Sequence, residues 1–353
     1  MKKIISISLV LMLLLGILAV PALAEETTIR KVGELSMLNL DEEKMQDIML
    51  ARLQMALMQR EGDESVDMGL LKSISFKTIY FDSLDAMQMA LNAGEIDRME
   101  IYEATAKYLC ANNDDLFFFS NEKLKNTSTL IANMLINGIL ANDFTFMMME
   151  GREALRDEFN AAIAAIREDG TLEKLITEYI DGAIEGKEIP PIQIAKIDGA
   201  ETIKVGVTGD LPPMDYVAAD GTPAGFNTAL LAEISKRLSK NIELSPLASP
   251  ARSSALASGT VDVVFWTRTS TPAKKLLDMD KDEVKEFRIK NYGDLPEEQI
   301  ALAESLVETI SYETYMKADM PERTIITDPY FSDTLVMVMT KAEAEKNPAS
   351  NTK

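Results

Sequence analysis

The chain has 353 residues, with 36 basic and 57 acidic side chains, a formal net charge of −21, one cysteine and no histidine. Such an acidic chain is a poor partner for nucleic acid or an anionic membrane surface, and its acidity equally serves solubility. Lack of histidine excludes Ser-His-Asp and Cys-His catalysis and His-containing zinc sites, and one thiol excludes an internal disulfide.

Lys2 and Lys3 precede an apolar run from Ile4 to Val20, and Ala22-Leu23-Ala24 follows as a small-residue cleavage site. Residues 1–24 therefore read as a secretory signal peptide, the apolar run being short for a spanning helix. A periplasmic or secreted location is expected, without a lipid anchor because no cysteine follows the cleavage site. Loss of Lys2 and Lys3 takes the formal charge from −21 to −23.

From Ile29 the pattern runs strand (KVGELSML), amphipathic helix (DEEKMQDIMLARLQMALMQ), strand (SISFKTIYF), helix (SLDAMQMALNAG) and strand. Alternation at these lengths predicts βαβ units and a mainly parallel sheet. Cys110, in AKYLCANN, reads as a small apolar helix residue. GREALRDEFNAAIAAIREDGTLEKLITEYI predicts two helices broken at Asp169-Gly170-Thr171, with glycine ending one and threonine capping the next. The first unit is drawn over residues 29–185.

Residues 186–200, with Pro190-Pro191, predict a linker, and strand, Pro/Gly loop, helix and strand signals then restart in a second unit over 201–342. ALNAGEID at 90–97 and ALASGTVD at 255–262 share the pattern A-L-x-[AS]-G-x-[IV]-D. Gly33 corresponds to Gly206 and Gly94 to Gly259 at similar offsets, which fits either a duplicated βαβαβ unit or chance likeness between two α/β units. Residues 275–326 carry helix signals, including an N-cap at Asp294 before Leu295-Pro296, and predict a helical insertion. Asp278-x-Asp280-x-Asp282 fails as a calcium loop, since Glu283 and Ile289 replace the required glycine and glutamate. Residues 343–353 read as a polar tail, and no metal or cofactor is expected.

Three blocks of the second unit, IKVGVTGDLPPMDY, DGTPAGFNTALLAEISKRL and ALASGTVDVVFWTRTSTPAKK, resemble the bacterial extracellular solute-binding proteins of family 3. These are the amino-acid receptors of ATP-driven importers. TDPYFSDTLVMVM at 327–339 resembles the family's strand leading to the interlobe hinge, and FTFMMMEGREALRDEFNAAIAAIREDGTLEKLITEYI its closing strand and helices. The order departs from the family, because the closing helices fall mid-chain and the second unit ends soon after its hinge-like strand. The expected fold is α/β: two βαβ-type lobes resembling a periplasmic-binding-protein clamshell, rearranged or degenerate. Either the two units face each other as halves of one clamshell, which we favour, or each is a one-lobed relic.

The resemblance places Thr269 and Thr271 where hydroxyl and backbone groups hold a ligand carboxylate. Lys274 falls where an arginine usually clamps it, and supplies charge without the bidentate fork. Leu211 and Met214 replace aromatics of the family, Arg252 replaces a pocket hydrophobe, and Asp210 and Thr267 complete the candidate ligand set. Trp266 is either a new stacking wall or a core aromatic, and Arg268 either faces the ligand or pairs with a surface carboxylate. The matching stretch of the first unit, RMEIYEATAKYL, has glutamates in place of hydroxyls and reads as structural.

The implied function is an exported receptor capturing a small anionic or zwitterionic solute, an amino acid or organic acid, for the permease of an ABC importer. It would work as a monomer, without nucleic acid and without catalysis. The alternatives are an exported dehydratase-like enzyme on small carboxylic acids, using Asp210 or Asp215 as acid or base, and a ligandless surface scaffold.

Overall fold

The computed structural model describes residues 28–36, 74–118, 141–218, 221–247, 251–269 and 321–345. The signal peptide, the first predicted helix and residues 275–320 of the predicted insertion lie outside the described residues.

The chain runs β1 (Thr28–Leu35), β2 (Ile74–Phe81), α1 (Leu84–Asn92), β3 (Arg98–Tyr102), α2 (Glu103–Asn112) and β4 (Leu116–Phe118). Next come β5 (Ala141–Met149), α3 (Glu153–Glu168) and α4 (Thr171–Leu175), the last continuing through a π-helical turn, Ile176–Asp181, into Gly182–Ile184. Then follow β6 (Thr202–Val207), β7 (Asp210–Leu211), β8 (Asp215–Val217), β9 (Pro223–Ala224), α5 (Phe226–Leu238), β10 (Asn241–Pro246), α6 (Arg252–Ala257) and β11 (Val263–Thr269). The described chain closes with β12 (Thr324–Ile326), β13 (Phe331–Thr340) and α7 (Lys341–Glu345).

Two parallel three-strand cores result. In one lobe β1 lies between β2 and β3, and in the other β6 lies between β10 and β11. Each core is extended by an antiparallel strand from elsewhere in the chain: β13 on β3, and β5 on β11. β13 also joins the two sheets, because Phe331–Thr334 pair with β5 and Leu335–Val338 with β3. The stretch TDPYFSDTLVMVM, expected to lead to a hinge, thus runs through the strand that both sheets share.

The lobes cut across the units drawn from sequence. β5 pairs with β11, and α3, α4 and the π-helical turn pack on α5, so residues 141–181 complete the lobe of β6, β10 and β11, while Gly182–Ile184 pack on α2 of the other lobe. Two smaller expectations also change. Residues 324–326, at the end of the predicted helical insertion, form β12 on the outer side of β5, and residues 343–345 of the predicted polar tail are helical. Glu343 there accepts from Arg30 of β1.

The shared pattern A-L-x-[AS]-G-x-[IV]-D has one physical job in both lobes. Gly94 and Gly259 both take φ of 72°, the left-handed turn that glycine enters without Cβ strain. Their N–H groups donate to Leu91 and Leu256 respectively, closing α1 and α6. Ile96 and Val261 are then buried. Asp97 N donates to Lys31 O and its carboxylate accepts from Lys31 N; Asp262 makes the same pair with Lys204. The aspartate thus pins the incoming outer strand to the central strand of its lobe. Gly33 and Gly206 on those central strands also match, since a Cβ on either would meet a side-chain carbon 2.5 Å away.

The helix break at 169–171 occurs as expected, but Gly170 is the N-cap residue of α4, and Asp169 Oδ1 accepts from Thr171 N at 3.0 Å. α3 buries Leu155, Phe159, Ala162, Ile163 and Ile166, an apolar stripe at helical spacing. The linker is a fastened strap: Ile189, Ile192 and Ile194 pack on the core, and Asn241 bonds Ile197 through both its N–H and C=O.

Gly225, the N-cap of α5, has φ of 99°, and a Cβ there would lie 2.7 Å from Met214 O and 2.8 Å from Pro213 O. Gly225→Ala should therefore destabilise the protein by about 2–4 kcal/mol through backbone strain and clash. Urea denaturation measures it, and a loss below about 0.5 kcal/mol, the level of an ordinary surface substitution, would contradict this account.

Candidate binding site

The carboxyl ends of both parallel cores meet at the junction of the lobes, where loops and helix N-termini leave polar groups for a ligand. Beneath lies an aromatic cluster of Phe144, Phe146, Tyr330, Phe331, Phe226 and Phe265, whose neighbouring rings are 4.9–6.3 Å apart between centroids. It gives the cleft a packed floor shared by β5, α5, β11 and β13.

The loop from β6 to α5 is folded on itself. Asp215 Oδ2 accepts from Thr208 N at 3.2 Å, and the carbonyls of Pro213 and Met214 accept the first N–H groups of α5, from Phe226 and Asn227. Asn227 Oδ1 accepts from Tyr330 OH at 3.0 Å, tying the helix to the strand entering the hinge.

Arg252 opens α6 and is only 5% exposed. Its Nη1 donates to Phe265 O at 2.9 Å, and its guanidinium carbon lies 5.1 Å from the centroid of the Trp266 ring. Burial lowers its pKa to about 10, while Tyr102, Asp215 and Asp210 favour its charge. Burial also raises Asp215 to about 6, opposed by the backbone N–H groups of Thr208 and Gly209 and reinforced by Asp210. Burial again drives Tyr102 upward, opposed by its hydrogen bond to Thr267.

Tyr102, Phe144, Gly206, Thr208, Asp215 and Asn227 line a cavity of about 30 Å³ together with Leu211, Arg252, Phe265, Trp266 and Thr267. That volume holds about two waters. The Trp266 indole N–H is buried without a hydrogen-bond partner, an unmet donor in this group.

Of the residues named from sequence, Leu211, Arg252, Trp266 and Thr267 meet at this cavity, and Asp210 stands beside it on β7. Arg268 and Thr269 are placed by their backbone opposite Asp143 and Asn142 of β5, and their side chains lie outside the description. Thr271 and Lys274 lie outside the described residues altogether. Tyr102, Phe144, Thr208 and Asn227 were not anticipated, and Asp215 was considered only as an enzymic acid or base. For Tyr102 the signal was available: counted from the matched aspartates Asp97 and Asp262, it is the repeat equivalent of Thr267, its partner across the cleft. The first unit is therefore not confined to support.

The geometry is that of two α/β lobes joined through β13, with a cavity lined by residues of both. Residues 203–279 match the sequence model of the bacterial extracellular solute-binding proteins, family 3. Among solved structures, the zinc-bound ligand-binding component of an ABC-type import system from Staphylococcus aureus is 10% identical, with 90% of this chain and 68% of that chain covered and a TM-score of 0.37. The GluR0 ligand-binding core of Nostoc punctiforme with L-glutamate is also 10% identical, covering 91% and 89% at a TM-score of 0.32. The BvgS VFT2 domain of Bordetella pertussis is 12% identical, covering 92% and 85% at 0.35. Among the described residues, no group of three or more His, Cys, Asp or Glu side chains is placed to hold a metal.

Asp333 of β13 accepts from Ala104 N of α2 at 2.9 Å, and burial raises its pKa to about 6. A carboxyl whose folded pKa exceeds its unfolded value, about 3.9, stabilises the fold below pH 4 and loses that contribution as pH rises through 6. The stability of wild type relative to Asp333→Asn should consequently fall by about 2 kcal/mol from pH 4 to 7. Denaturant titrations across that range measure it, and a constant difference would mean that Asp333 does not titrate there.

Proposed function

We propose that the protein is an exported solute receptor that closes its lobes over a small zwitterion, an amino acid or related organic acid, and presents it to an ABC importer. Arg252 carries this reading: a buried cation at the junction of the lobes, stacked on Trp266 and beside the cavity. A carboxylate there would gain charge-assisted hydrogen bonds in a dry setting. Asp215 and Asp210 bring opposing charge to the same place, which favours a ligand with a cationic group as well over a simple dianion. The family match over 203–279 supports capture and transport over catalysis. The cavity of about 30 Å³ must enlarge to admit such a solute, so binding and lobe opening are coupled.

A thermal-shift screen of residues 25–353 against amino acids and organic acids should reveal the ligand, because a solute that binds only the folded state raises the melting temperature. Calorimetry of Arg252→Ala with that solute should show affinity reduced tenfold or more, the loss of about 1.5–3 kcal/mol of charge-assisted bonding. No stabilisation by any of these solutes would sink the receptor reading, and turnover of a bound acid would replace it with the enzyme.

A further inference from the structure

Trp266 is the chain's one tryptophan, and the fold holds its ring in a fixed place. Its backbone pairs with Thr145 of β5, whose hydroxyl donates to Trp266 O at 3.1 Å. The side chain belongs to a small core with Met147 of β5, Ala255 and Leu256 of α6 and Val264 of β11, and the residue is 4% exposed. Arg252 lies against it, the guanidinium carbon 5.1 Å from the ring centroid.

Packing alone needs no more than an apolar ring there. The indole adds one polar group, an N–H that can only donate, and among the described residues that N–H is buried with no hydrogen-bond partner. A buried donor left unmet costs stability, so the group is completed by a partner from outside the chain. Trp266 also lines the cavity at the junction of the lobes. Three other polar side chains of that lining are already engaged: Arg252 with Phe265 O, Asp215 with Thr208 N and Asn227 with Tyr330 OH.

We propose that Trp266 is a specificity-determining residue of this site, its Nε1–H donating to one oxygen of the solute carboxylate whose other oxygen Arg252 holds. The inference rests on the receptor reading and adds to it the group that tells a carboxylate from a cation or an apolar solute of similar size. A carboxylate presents two acceptor oxygens, so a guanidinium over the ring face and an N–H in the ring plane can share it, whereas an ammonium offers the indole no acceptor. Both bonds form away from water, where charge-assisted bonds are strongest.

Because the chain has a single tryptophan, nitrogen-15 labelling of the indole in residues 25–353 gives one resonance to follow. The protein is titrated singly with the common amino acids and with acetate, while calorimetry records which of them bind. The indole proton should move downfield with every carboxylate that binds. Feeding the expression host benzothienylalanine in place of tryptophan changes this one position, putting sulfur where the N–H was and keeping the shape of the ring. That protein should melt as wild type does and bind the same solute about tenfold more weakly. Trp266→Phe, which also keeps an aromatic ring against Arg252, should lose affinity to the same degree; should it fail to fold, the sulfur analogue decides. A solute that binds while the indole resonance stays put, or that binds the sulfur analogue with unchanged affinity, overturns the donor role and leaves the receptor reading standing. If none of these carboxylates binds, the receptor reading and this inference fall together.

Discussion

One strand holds the main sheets of the two lobes in a single hydrogen-bonded system, with β7, β8 and β9 forming a separate small sheet. Within β13, Phe331–Thr334 belong to the β5 ladder and Leu335–Val338 to the β3 ladder, so a change of angle between lobes must be absorbed where these four-residue runs meet. The flanking groups make that junction sensitive. Asp333 accepts from Ala104 at the start of α2, Thr334 Oγ1 donates to Glu103 Oε2, and Tyr330 just upstream bonds Asn227 of α5. These bonds tie the strand shared by both sheets to the first turns of α2 and α5, beside Tyr102 and Asn227 of the cavity lining.

The lobes themselves rest on a duplicated device. In each, a left-handed glycine ends the helix, a buried Ile or Val follows, and an aspartate ties the next strand to the central one. Repetition at this level explains why the pattern is shared while the residues after it differ. Up to the aspartate the sequence answers to the folding of one lobe; beyond it, at the strand ends, it answers to the cleft. Tyr102 and Thr267, each five residues after its matched aspartate, both line the cavity.

Much of this was legible in local pattern. The repeat, the break at Asp169-Gly170-Thr171 and the hinge-like stretch before Met339 all depend on residues close together in sequence. The ownership of residues 141–181 was not legible, because pairing of β5 with β11 is a contact across more than a hundred residues with no periodic signature. Lining residues divided on the same principle. Arg252, Trp266 and Thr267 stood out as polar or bulky departures within apolar stretches, whereas Phe144 reads as an ordinary alternating strand residue. Asn227 is an unremarkable polar residue at a helix start until Tyr330 is brought to it. The π-helical turn at Ile176–Asp181 likewise has no local marker that sets it apart from regular helix.

The electrostatics of the cleft were the hardest to foresee, and they constrain its chemistry most. A guanidinium that is 5% exposed keeps its charge only where its desolvation is offset. Here the offset comes from Phe265 O, the Trp266 ring and the nearby carboxyl groups of Asp215 and Asp210. Those carboxyl groups are themselves held above their ordinary pKa by burial, which the Arg252 charge counteracts at Asp210. Charge in the cleft is therefore already largely balanced before a solute arrives. A pure anion would gain Arg252 while facing two buried acids, whereas a zwitterion can exchange one internal pair for two external ones without adding net charge.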